Sequence, residues 1–485
     1  MHMCSGVLCV CALVALVAAQ TVYIEETSEQ YGHYMTPLPS PAIMDAPLET
    51  DWVDIHLNTT DTYHEIVGFG GAFTESASYV YSMLPPSAQA KVMRTLFDEE
   101  EGMGFSLCRT HINSCDFSLS SYSYDDTEGD YALDHFSVEH DTQYLIPMIQ
   151  DALALTPGLS VFASPWSPPA WMKSNGAMET SPTPGLKWDD RTLAAWAKYF
   201  TKYFEAYAAH GIDLWGITVE NEVVGTHRWE CCSYTASQMA SFVVNHLGPA
   251  IQAYNEDNGT DIKVLVFDHD KKDILQWAEA YYSVPGVGEY TDGVAFHWYK
   301  TTDAEFEDVN SVAWTIRWSE NPKDTLLMGT EACSCPFTSD SDTLWSRAEA
   351  VGHDILWDIR SGAQSWVIWN MLLDYTGGPN KNANSCDAPI IANELYTDIE
   401  ARPNLYYLGH FSKHMRPGDM VLKTDCQMKD DVESLAVVDP LTGTAKMVLM
   451  NRQNYDRVMR VSVNDTFMFQ TTVPMNSIQT VVIEM

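Results

Sequence analysis

Short apolar runs alternate with longer amphipathic stretches from about residue 65 onward. Several of these runs are almost continuously apolar, which is typical of parallel strands that are buried on both faces of a sheet. The pattern predicts eight strands, at residues 65–70, 104–109, 159–163, 214–220, 262–267, 293–297, 325–330 and 364–370.

The stretch at residues 191–210 is typical of the segments between the predicted strands. Its apolar residues recur at helical spacing, Asp189 and Asp190 offer an N-cap, and Gly211 stands where a helix commonly ends. Eight strand–helix units predict a (β/α)8 TIM barrel, in which the reactive residues lie on the loops after the strands. A doubly wound sheet is the competing fold, but it normally has fewer repeats, and no phosphate-binding glycine fingerprint is present.

The pattern changes after about residue 405. Short β-rich runs are separated there by Pro, Gly, Asn and Asp turns, at residues 435–438, 446–450, 458–463, 467–472 and 478–483. They predict an accessory antiparallel β-sandwich, and the strand-like segment at 53–57 is a candidate to pair with it. The predicted domains are a signal peptide (1–19), N-terminal strands of the sandwich (20–64), the catalytic barrel (65–404) and the C-terminal sandwich (405–485).

Composition and the N-terminus narrow the function classes. The formal net charge of -39 on 485 residues repels nucleic acid and, at neutral pH, anionic membranes, so nucleic-acid binding is excluded. Residues 7–19 are apolar and end in small residues before Gln20, which indicates a secretory signal, and no later apolar stretch suits a transmembrane helix. Sequons at Asn58, Asn258 and Asn464 agree with a secreted or lysosomal protein. No cysteine spacing indicates a zinc site, and no metal or organic cofactor is expected.

Two glutamate motifs each follow an apolar, strand-like run. Glu222 ends the segment LWGITVENE, and Glu331 follows TLLMGT. Two carboxylates at the mouth of a barrel are what a retaining glycosidase needs, since one protonates the leaving oxygen and the other attacks the sugar carbon. Glu220 competes for the acid/base role, but it is expected to lie deeper in the barrel. The charge of Glu331 is expected to raise the pKa of Glu222 and to give an acidic optimum, around pH 4–6.

Six short motifs stand in order along the chain: FGGAFTE (69–75), ASPWSPPAW (163–171), TVENE (218–222), HWY (297–299), TEAC (330–333) and LGHFSK (408–413). These motifs resemble those of the lysosomal acid β-glucosidases (glucosylceramidases) of glycoside hydrolase family 30, and the resemblance covers nearly all of the chain after the signal. It implies that Glu222 is the general acid/base and that Glu331 is the nucleophile.

The resemblance also implies a sugar-binding site. Trp166 and Trp369 match positions that line the sugar subsite, Tyr299 matches a residue that hydrogen-bonds the nucleophile, and Asn384 aligns with a residue that contacts the 6-OH. Asn221 is suited to bind the sugar 2-OH.

Two further residues are expected to support the carboxylates. Arg109 is expected to orient them as a fixed cation. For His297, a supporting hydrogen-bond role and a satisfied core histidine are both open.

Three departures from the family pattern leave the substrate open. Glu75 stands where the resemblance places the family's sugar-binding Asp, Val223 replaces a Pro, and no Cys occurs between residues 20 and 107, where animal members have cysteine pairs. The loops at 225–234 and 337–344 also differ from the animal pattern. The resemblance implies hydrolysis of glucosylceramide or a close β-glucosyl lipid, with a saposin-like activator or an anionic lipid surface as partner. The alternatives are a β-glycosidase for soluble β-glucosides, β-xylosides or β-glucans, and an inactive glycolipid-binding protein.

Overall fold

The computed structural model describes residues 21–43, 53–183, 185–299, 305–318, 325–426, 432–465 and 467–484. The predicted signal peptide lies outside the described residues.

The strands are β1 (Thr21–Ser28), β2 (His33–Leu38), β3 (Val53–Glu65), β4 (Gly68–Phe73), β5 (Leu107–Ile112), β6 (Ser160–Pro165), β7 (Gly216–Thr218), β8 (Lys263–Asp270), β9 (Gly293–His297), β10 (Leu326–Glu331), β11 (Ser365–Asn370), β12 (Leu372–Leu373), β13 (Ile390–Ala392), β14 (Ile399–Ala401), β15 (Met420–Cys426), β16 (Glu433–Val438), β17 (Ala445–Asn451), β18 (Arg457–Val463), β19 (Phe467–Val473) and β20 (Ser477–Glu484). The helices are α1 (Glu75–Met83), α2 (Pro86–Phe97), α3 (Leu145–Leu155), α4 (Asp190–Ala209), α5 (Ala236–Phe242), α6 (Gly248–Asn258), α7 (Ile274–Tyr282), α8 (Val287–Tyr290), α9 (Glu305–Trp318), α10 (Ser341–Ser361) and α11 (Pro403–Ser412).

Strands β4 to β11 close into a parallel barrel, in the order β10-β11-β4-β5-β6-β7-β8-β9. The predicted barrel is therefore confirmed, and each of its strands overlaps a predicted apolar run. Apolar side chains from most of the strands fill the interior: Leu107, Phe162, Leu265, Ala295, Met328 and Val367. This filled centre leaves the carboxyl ends of the strands as the place for a cavity.

The first barrel strand begins later than the sequence pattern predicts. Glu65 belongs to β3 and pairs with Met420 of β15, and the barrel strand starts at Gly68. Gly68 has a φ of +153°, a backbone conformation that glycine adopts readily. The chain therefore passes from one sheet to the other within two residues, and a continuous apolar run does not reveal such a break.

Helix α4 confirms the predicted capping signals. The side chain of Asp189 accepts a hydrogen bond from the backbone N–H of Thr192, and Gly211, just beyond the helix, has a φ of +75°. The helix buries its apolar face, including Trp196 and Phe200, in the main core. Its polar ends and apolar face both follow from the local sequence.

A nine-stranded sheet forms the accessory domain, in the order β19-β18-β3-β15-β16-β17-β20-β1-β2. All of its strand pairs are antiparallel except β3 with β18, which is parallel. The five predicted C-terminal strands and the predicted pairing of segment 53–57 are confirmed. Strands β1 and β2 lie in the segment 20–64, whose strands were expected to join the sandwich, although their bounds were not predicted, and β15 was not predicted from the pattern.

Both faces of the accessory sheet are buried. Along β16, Ala436 and Val438 face a core within the accessory domain, whereas Leu435 and Val437 join the barrel core. At the junction, the ring nitrogens of the buried His410 on α11 lie 2.8 Å from Thr480 Oγ1 and 2.9 Å from Thr27 Oγ1. The predicted boundary at residue 405 falls inside α11, and the division into domains stays a prediction. No helix in the described ranges is both long and apolar enough to cross a membrane.

Candidate active site

A cavity of about 810 Å³ lies at the carboxyl ends of the barrel strands. The residues that line it include Asp116, Phe117, Trp166, Asn221, Glu222, His227, Trp229, His269, Asp270, Tyr299, Glu331, Trp369 and Asn384. Arg109, Asp268 and His297 are fully buried. Arg109 contacts Glu331 and Asn221 of the lining, and Asp268 contacts both Arg109 and His297. Most of the predicted site residues are therefore brought together.

Glu222 and Glu331 face each other across the cavity. A carboxylate oxygen of Glu222 and one of Glu331 lie within 4.8 Å of each other. Retaining glycosidases hold their two carboxyl groups about 5–5.5 Å apart, whereas inverting ones leave roughly 6.5–9.5 Å for a water molecule. The short oxygen–oxygen distance is compatible with direct attack by one carboxylate on a sugar that the other protonates.

Glu222 reaches the cavity through an unusual backbone conformation. Its φ is +49°, and its N–H donates to the carbonyl of Asp268 over 2.8 Å. For a residue with a Cβ this left-handed conformation costs about 1–2 kcal/mol, and such strain clusters at functional sites. The turn after β7 thereby directs Glu222 to the mouth of the barrel, where its side chain is 13% exposed.

Glu220 occupies a different environment from Glu222. It is fully buried, it is not among the cavity residues, and neither carboxylate oxygen has a hydrogen-bond partner among the described residues. Burial raises its pKa well above the usual value, a rise that Lys173 opposes and Asp268 adds to. The carboxyl group is therefore held neutral and away from any ligand in the cavity.

The carboxylate of Glu331 is fixed by two donors. The hydroxyl of Tyr299 donates to Oε1 over 2.7 Å, and Nη1 of Arg109 donates to Oε2. Burial and the nearby Cys333 and Glu331 raise the pKa of Tyr299 well above its usual value, so the phenol remains a neutral donor. Because each carboxylate oxygen accepts one hydrogen bond, the Glu331 carboxylate is held in a single orientation.

Asp268 links the supporting residues, and the sequence analysis missed it. Its two oxygens contact Arg109 Nη2 at 2.8 Å and His297 Nε2 at 3.0 Å, and they accept from the hydroxyls of Thr218 and Thr330. Although burial would raise its pKa, the charges of Arg109 and His297 hold the pKa well below the usual range. The signal for this residue is the polar end of strand β8, where Asp268, His269 and Asp270 follow the apolar run at residues 264–267.

His297 supplies a positive charge between the two glutamates. Its Nδ1 lies 3.6 Å from Glu222 Oε1 and 3.9 Å from Glu331 Oε1. Burial alone would lower its pKa, but the charges of Glu331 and Asp268 raise it to about 10. Of the two open interpretations of His297, the structure favours the supporting role over that of a satisfied core histidine.

The expectation of a raised pKa for Glu222 is wrong for the unliganded enzyme. Burial would raise it, but the positive charge of His297, whose Nδ1 lies 3.6 Å away, and the charges of His227 and His269 lower the pKa of Glu222 to about 2. The expectation rested on the negative charge of Glu331 alone, without the three histidines. These shifts favour an ionised Glu222 beside a protonated His297.

The two predicted tryptophans form one wall of the cavity. Trp166 and Trp369 stack with ring centroids 4.9 Å apart at an interplanar angle of 24°, and the Arg109 guanidinium lies 4.7 Å from the Trp166 ring. Asn221 accepts from Arg109 over 2.8 Å, and Asn384 accepts from Arg228 over 2.8 Å. Aromatic faces beside amide groups suit the apolar and hydroxyl surfaces of a sugar ring.

Glu75 does not take the sugar-contacting place that the sequence analysis gave it. It is 4% exposed and is not on the cavity wall. Its Oε1 lies 2.8 Å from His140 Nε2, and its Oε2 accepts from the backbone N–H of Leu119 over 3.0 Å. Both carboxylate oxygens of Glu75, the first residue of α1, are therefore occupied by contacts within the protein.

Asp116 is the carboxyl group that lines the cavity instead. Its loop is fixed by Asn382, whose side chain donates to the Asp116 carbonyl over 3.1 Å, and by Lys381, which donates to the carbonyl of Cys115. Burial and the charges of Glu331 and Glu222 raise the pKa of Asp116 well above its usual value. The sequence analysis missed this residue because it lies in a loop after β5, where no hydrophobic periodicity marks it.

A disulfide bond and several histidines complete the cavity wall. Cys335 and Cys386 are bonded to each other, and both line the cavity. Two sets of donor atoms within 4.8 Å of one another could hold a metal ion: Glu222, His269 and Asp270, and Glu222, His297 and Glu331. In the second set both oxygens of Glu331 already accept hydrogen bonds from Arg109 and Tyr299, whereas in the first set Nδ1 of His269 has no hydrogen-bond partner among the described residues.

Comparisons with known proteins agree with the fold and the cavity. Residues 66–415 match the glycosyl hydrolase family 30 TIM-barrel domain. Putative glucosylceramidase 3 of Caenorhabditis elegans is 35% identical over 439 residues, which cover 89% of this chain and 82% of the relative. Lysosomal acid glucosylceramidase of Mus musculus is 32% identical over 427 residues, 86% of this chain and 81% of the relative.

Other relatives carry a different name. An endo-1,6-β-D-glucanase of Neurospora crassa is 27% identical over 430 residues, 86% of this chain and 84% of the relative. Among solved structures, SrfJ of Salmonella typhimurium superposes with a TM-score of 0.87 at 28% identity, covering 96% of this chain and 99% of SrfJ. An endo-β1,6-glucanase superposes with a TM-score of 0.79 at 26% identity, and the superposition covers 95% of this chain and 99% of the glucanase. The chain therefore belongs to glycosyl hydrolase family 30 and is a glycoside hydrolase.

Proposed function

We propose that the protein is a retaining β-glucosidase that hydrolyses glucosylceramide or a close β-glucosyl lipid. The observation that carries the proposal is the Glu222–Glu331 pair, whose closest oxygens lie within 4.8 Å of each other in a tryptophan-lined cavity. Glucosylceramidase-named relatives at 32–35% identity support the choice of substrate. The pair of intact carboxylates argues against an inactive binding protein.

In the first step, an oxygen of Glu331 attacks C1 of the glucose. The bond between C1 and the leaving oxygen breaks, its electron pair stays on that oxygen, and Glu222 delivers a proton to it. Arg109 and Tyr299 hold the attacking carboxylate in place. The product of this step is a glucosyl ester of Glu331 and a free alcohol.

In the second step, water replaces the leaving alcohol. Glu222 accepts a proton from this water, whose oxygen attacks C1 as the ester bond to Glu331 breaks. Two successive inversions at C1 release β-glucose. Glu331 returns as a carboxylate, ready for the next substrate.

His297 supplies the proton that Glu222 delivers. In the unliganded site the pKa of His297 is raised to about 10 and that of Glu222 is lowered to about 2. In both groups the effect of the neighbouring charges outweighs the effect of burial. As Glu331 attacks, its negative charge is consumed, so His297 loses one of the charges that hold its proton. The proton moves from Nδ1 to Glu222 and on to the leaving oxygen, and the water proton restores it in the second step.

In this proposal the glucose is held by other residues of the cavity. Asp116 contacts neighbouring ring hydroxyls, and Asn384, which donates from Nδ2 to Asp116 Oδ2 over 3.4 Å, contacts the 6-OH. Asn221 contacts the 2-OH, and the stacked tryptophans cover the apolar face of the ring. Equatorial 3- and 4-OH groups fit this arrangement, whereas an axial 4-OH leaves one contact unmade.

A second groove beside the cavity suits a lipid chain. It has a volume of about 370 Å³, shares Val224, Gly225 and Asp273 with the main cavity, and is lined in part by Trp277 and Ala280. Val224 is 38% exposed at the place where the two meet. An apolar surface that continues from the leaving-group side of the sugar site is expected for a ceramide-type aglycone.

A β-glucan substrate is the second candidate. Polar and charged side chains, among them His227, Asp270 and Lys272, also line the leaving-group side. The Trp229 ring stacks on His227 with centroids 5.0 Å apart and offers a platform for a second sugar. Relatives named endo-1,6-β-glucanase favour this candidate over xylosides.

The proposed compartment is the secretory pathway, with a lysosomal or extracellular destination. The three sequon asparagines, Asn58, Asn258 and Asn464, are all exposed, as attached glycans require. The name of the mouse relative supports the lysosome. A saposin-like activator or an anionic lipid surface is the proposed partner for delivery of the lipid substrate.

The proposal is tested by turnover of a matched panel. The full-length enzyme is assayed with fluorescent glucosylceramide, an aryl β-glucoside, an aryl β-xyloside and a β-1,6-glucan oligosaccharide. We expect kcat/KM to be highest for the two glucosides and lowest for the xyloside and the glucan. A higher kcat/KM for the glucan than for glucosylceramide would replace the proposal with the second candidate.

A further inference from the structure

Glu222 is surrounded by metal-ligand side chains that the proposed reaction does not use. One donor atom each from Glu222, His269 and Asp270 lie within 4.8 Å of one another. His227 lies on the same wall, with its Nε2 3.1 Å from Glu222 Oε2. His269 and Asp270 come from the carboxyl end of β8, next to Asp268, and both line the cavity.

The histidine in this set is buried and incompletely hydrogen-bonded. His269 is 6% exposed, its Nδ1 has no hydrogen-bond partner among the described residues, and its Nε2 lies 3.8 Å from Asp273 Oδ2, beyond hydrogen-bond length. A buried imidazole that lacks a strong partner costs free energy, and coordination of a cation would satisfy it. Asp270 is 3% exposed, so the set is enclosed by protein on the side away from the cavity.

The chemistry of the donors selects one class of cation. One imidazole nitrogen and two carboxylate oxygens suit Zn²⁺, which takes four ligands and often keeps an open position. The related ions Co²⁺, Ni²⁺ and Cu²⁺ also accept imidazole, whereas Mg²⁺ and Ca²⁺ prefer oxygen ligands alone. His227, whose Nε2 lies 3.1 Å from Glu222 Oε2, is the candidate for a fourth ligand. The net charge of -39 raises the local concentration of cations.

We propose that Glu222, His269 and Asp270 bind a divalent transition-metal ion such as Zn²⁺, and that the bound ion inhibits the enzyme. The ion coordinates the carboxylate of Glu222, so this group can neither deliver a proton to the leaving oxygen nor accept one from water. The ion is therefore a reversible inhibitor and not a cofactor. The inhibition rests on the proposed function, whereas the binding of the ion does not.

Binding is tested first, without any substrate. The full-length protein is stripped with a chelator and titrated with ZnCl₂ by calorimetry and with CoCl₂ by visible absorption, which reports the coordination of cobalt. The test variants are His269→Gln and Asp270→Asn. The control variants are His135→Gln and Asp130→Asn, which change the exposed His135 and the carboxylate that it contacts over 2.8 Å, both outside the cavity.

We expect one tight Zn²⁺ site per chain in the wild type and in both control variants. Each test variant should weaken Zn²⁺ affinity by about 10- to 100-fold or more, the range found even for residues that only support a ligand. Glu222→Gln should weaken it similarly, although that variant lacks the acid/base. Circular dichroism shows that each variant is folded. Affinity that is the same in the test and control variants would overturn the proposal.

Inhibition is measured on the same proteins with an aryl β-glucoside. Each variant is compared with its own metal-free rate, and we expect the half-inhibitory Zn²⁺ concentration to rise by about tenfold or more in His269→Gln and Asp270→Asn. Mg²⁺ at the same concentration should not inhibit. Tight Zn²⁺ binding that leaves the wild-type rate unchanged would overturn the inhibition. An enzyme without β-glucosidase activity would contradict the proposed function and leave the binding result standing.

Discussion

Nδ1 of His297 lies 3.6 Å from Oε1 of Glu222, so the positively charged imidazolium is next to the proposed acid/base. Burial opposes both charges, yet the pKa of His297 is raised to about 10 and that of Glu222 is lowered to about 2. The alkaline limb of kcat/KM then reports loss of the proton from His297, not from an isolated glutamic acid. An acidic optimum therefore does not follow from the two carboxylates alone.

Replacement of His297 by Asn is predicted to move the alkaline limb to lower pH. Without the imidazolium, the proton must reside on Glu222 itself, whose pKa rises but stays below that of the lost His297. We expect a shift of at least about one pH unit in kcat/KM, measured with an aryl β-glucoside. An unchanged alkaline limb in the folded variant would show that His297 does not hold the catalytic proton.

The same substitution predicts a change in the pH dependence of stability. A histidine whose pKa is raised on folding stabilises the fold fully below its unfolded pKa, near 6.5, and loses that contribution as pH rises through about 10. The wild type should therefore lose more stability than His297→Asn between these two pH values. Thermal melts across this range check the sign.

Substitutions of Asp116 and Glu75 are predicted to have different effects, the first on catalysis and the second on stability. Asp116→Ala should lower kcat/KM for glucosides by about 100-fold or more, since it removes hydrogen bonds to ring hydroxyls worth roughly 3 kcal/mol, with little change in Tm. Glu75→Gln should lower Tm by a few degrees, because it weakens the buried contact with His140, and should change kcat/KM less than about fivefold. The opposite pattern of effects on kcat/KM and Tm would show that Glu75, not Asp116, contacts the sugar.

The preference for one sugar over another is predicted from Asp116 and Asn384, which both line the cavity. Asp116 favours equatorial 3- and 4-OH groups and Asn384 favours a 6-OH, so kcat/KM should fall from glucosides to xylosides to galactosides. Asp116→Ala should narrow the difference between glucosides and galactosides. A wild-type preference for galactosides would contradict the assignment of these two residues.

The groove next to Val224 is predicted to bind the lipid. Val224→Glu places a charge against the acyl chain, so kcat/KM for fluorescent glucosylceramide should fall by about tenfold or more, while the value for an aryl β-glucoside stays within about twofold. Leu441→Glu is the matched control, since Leu441 is 94% exposed and lies outside the cavity. Equal losses for the two substrates would argue against a lipid groove.

The barrel could be predicted from the sequence because buried parallel strands read as continuous apolar runs. Helix α4 could be predicted because Asp189 and Gly211 carry the signals for its ends. The break at Gly68 could not, because β3 and β4 lie on one run of sequence but in different sheets. Strand β2 is short and half-exposed, with no strict alternation of apolar residues.

The positions of Glu222 and Glu331 in the cavity could be predicted because each follows an apolar strand, and their catalytic roles stay a prediction. Contacts that form only in three dimensions could not be predicted. Glu75 and Asp116 both follow barrel strands, and only the fold shows that His140 and Leu119 occupy the former. The lowered pKa of Glu222 likewise depends on histidines from β8, β9 and the loop after β7, which no local pattern brings together.

The two glutamates are predicted to differ in their dependence on the leaving group. Glu331→Gln should abolish turnover of every glucoside, because no other group can form the ester. Glu222→Gln should retain formation of the ester from 2,4-dinitrophenyl β-glucoside, which needs little protonation, and lose it for a phenyl glucoside. Presteady-state measurement of phenol release checks both, and identical profiles for the two variants would contradict the assigned roles.

The stereochemistry of the first product tests the retaining mechanism most directly. An aryl β-glucoside is hydrolysed in an NMR tube with enough enzyme to finish the reaction before glucose mutarotates. Because C1 is inverted once by Glu331 and once by water, the first anomeric proton signal should be that of β-glucose, with α-glucose appearing only later. Initial appearance of α-glucose would mean a single inversion by water and would contradict the covalent role of Glu331.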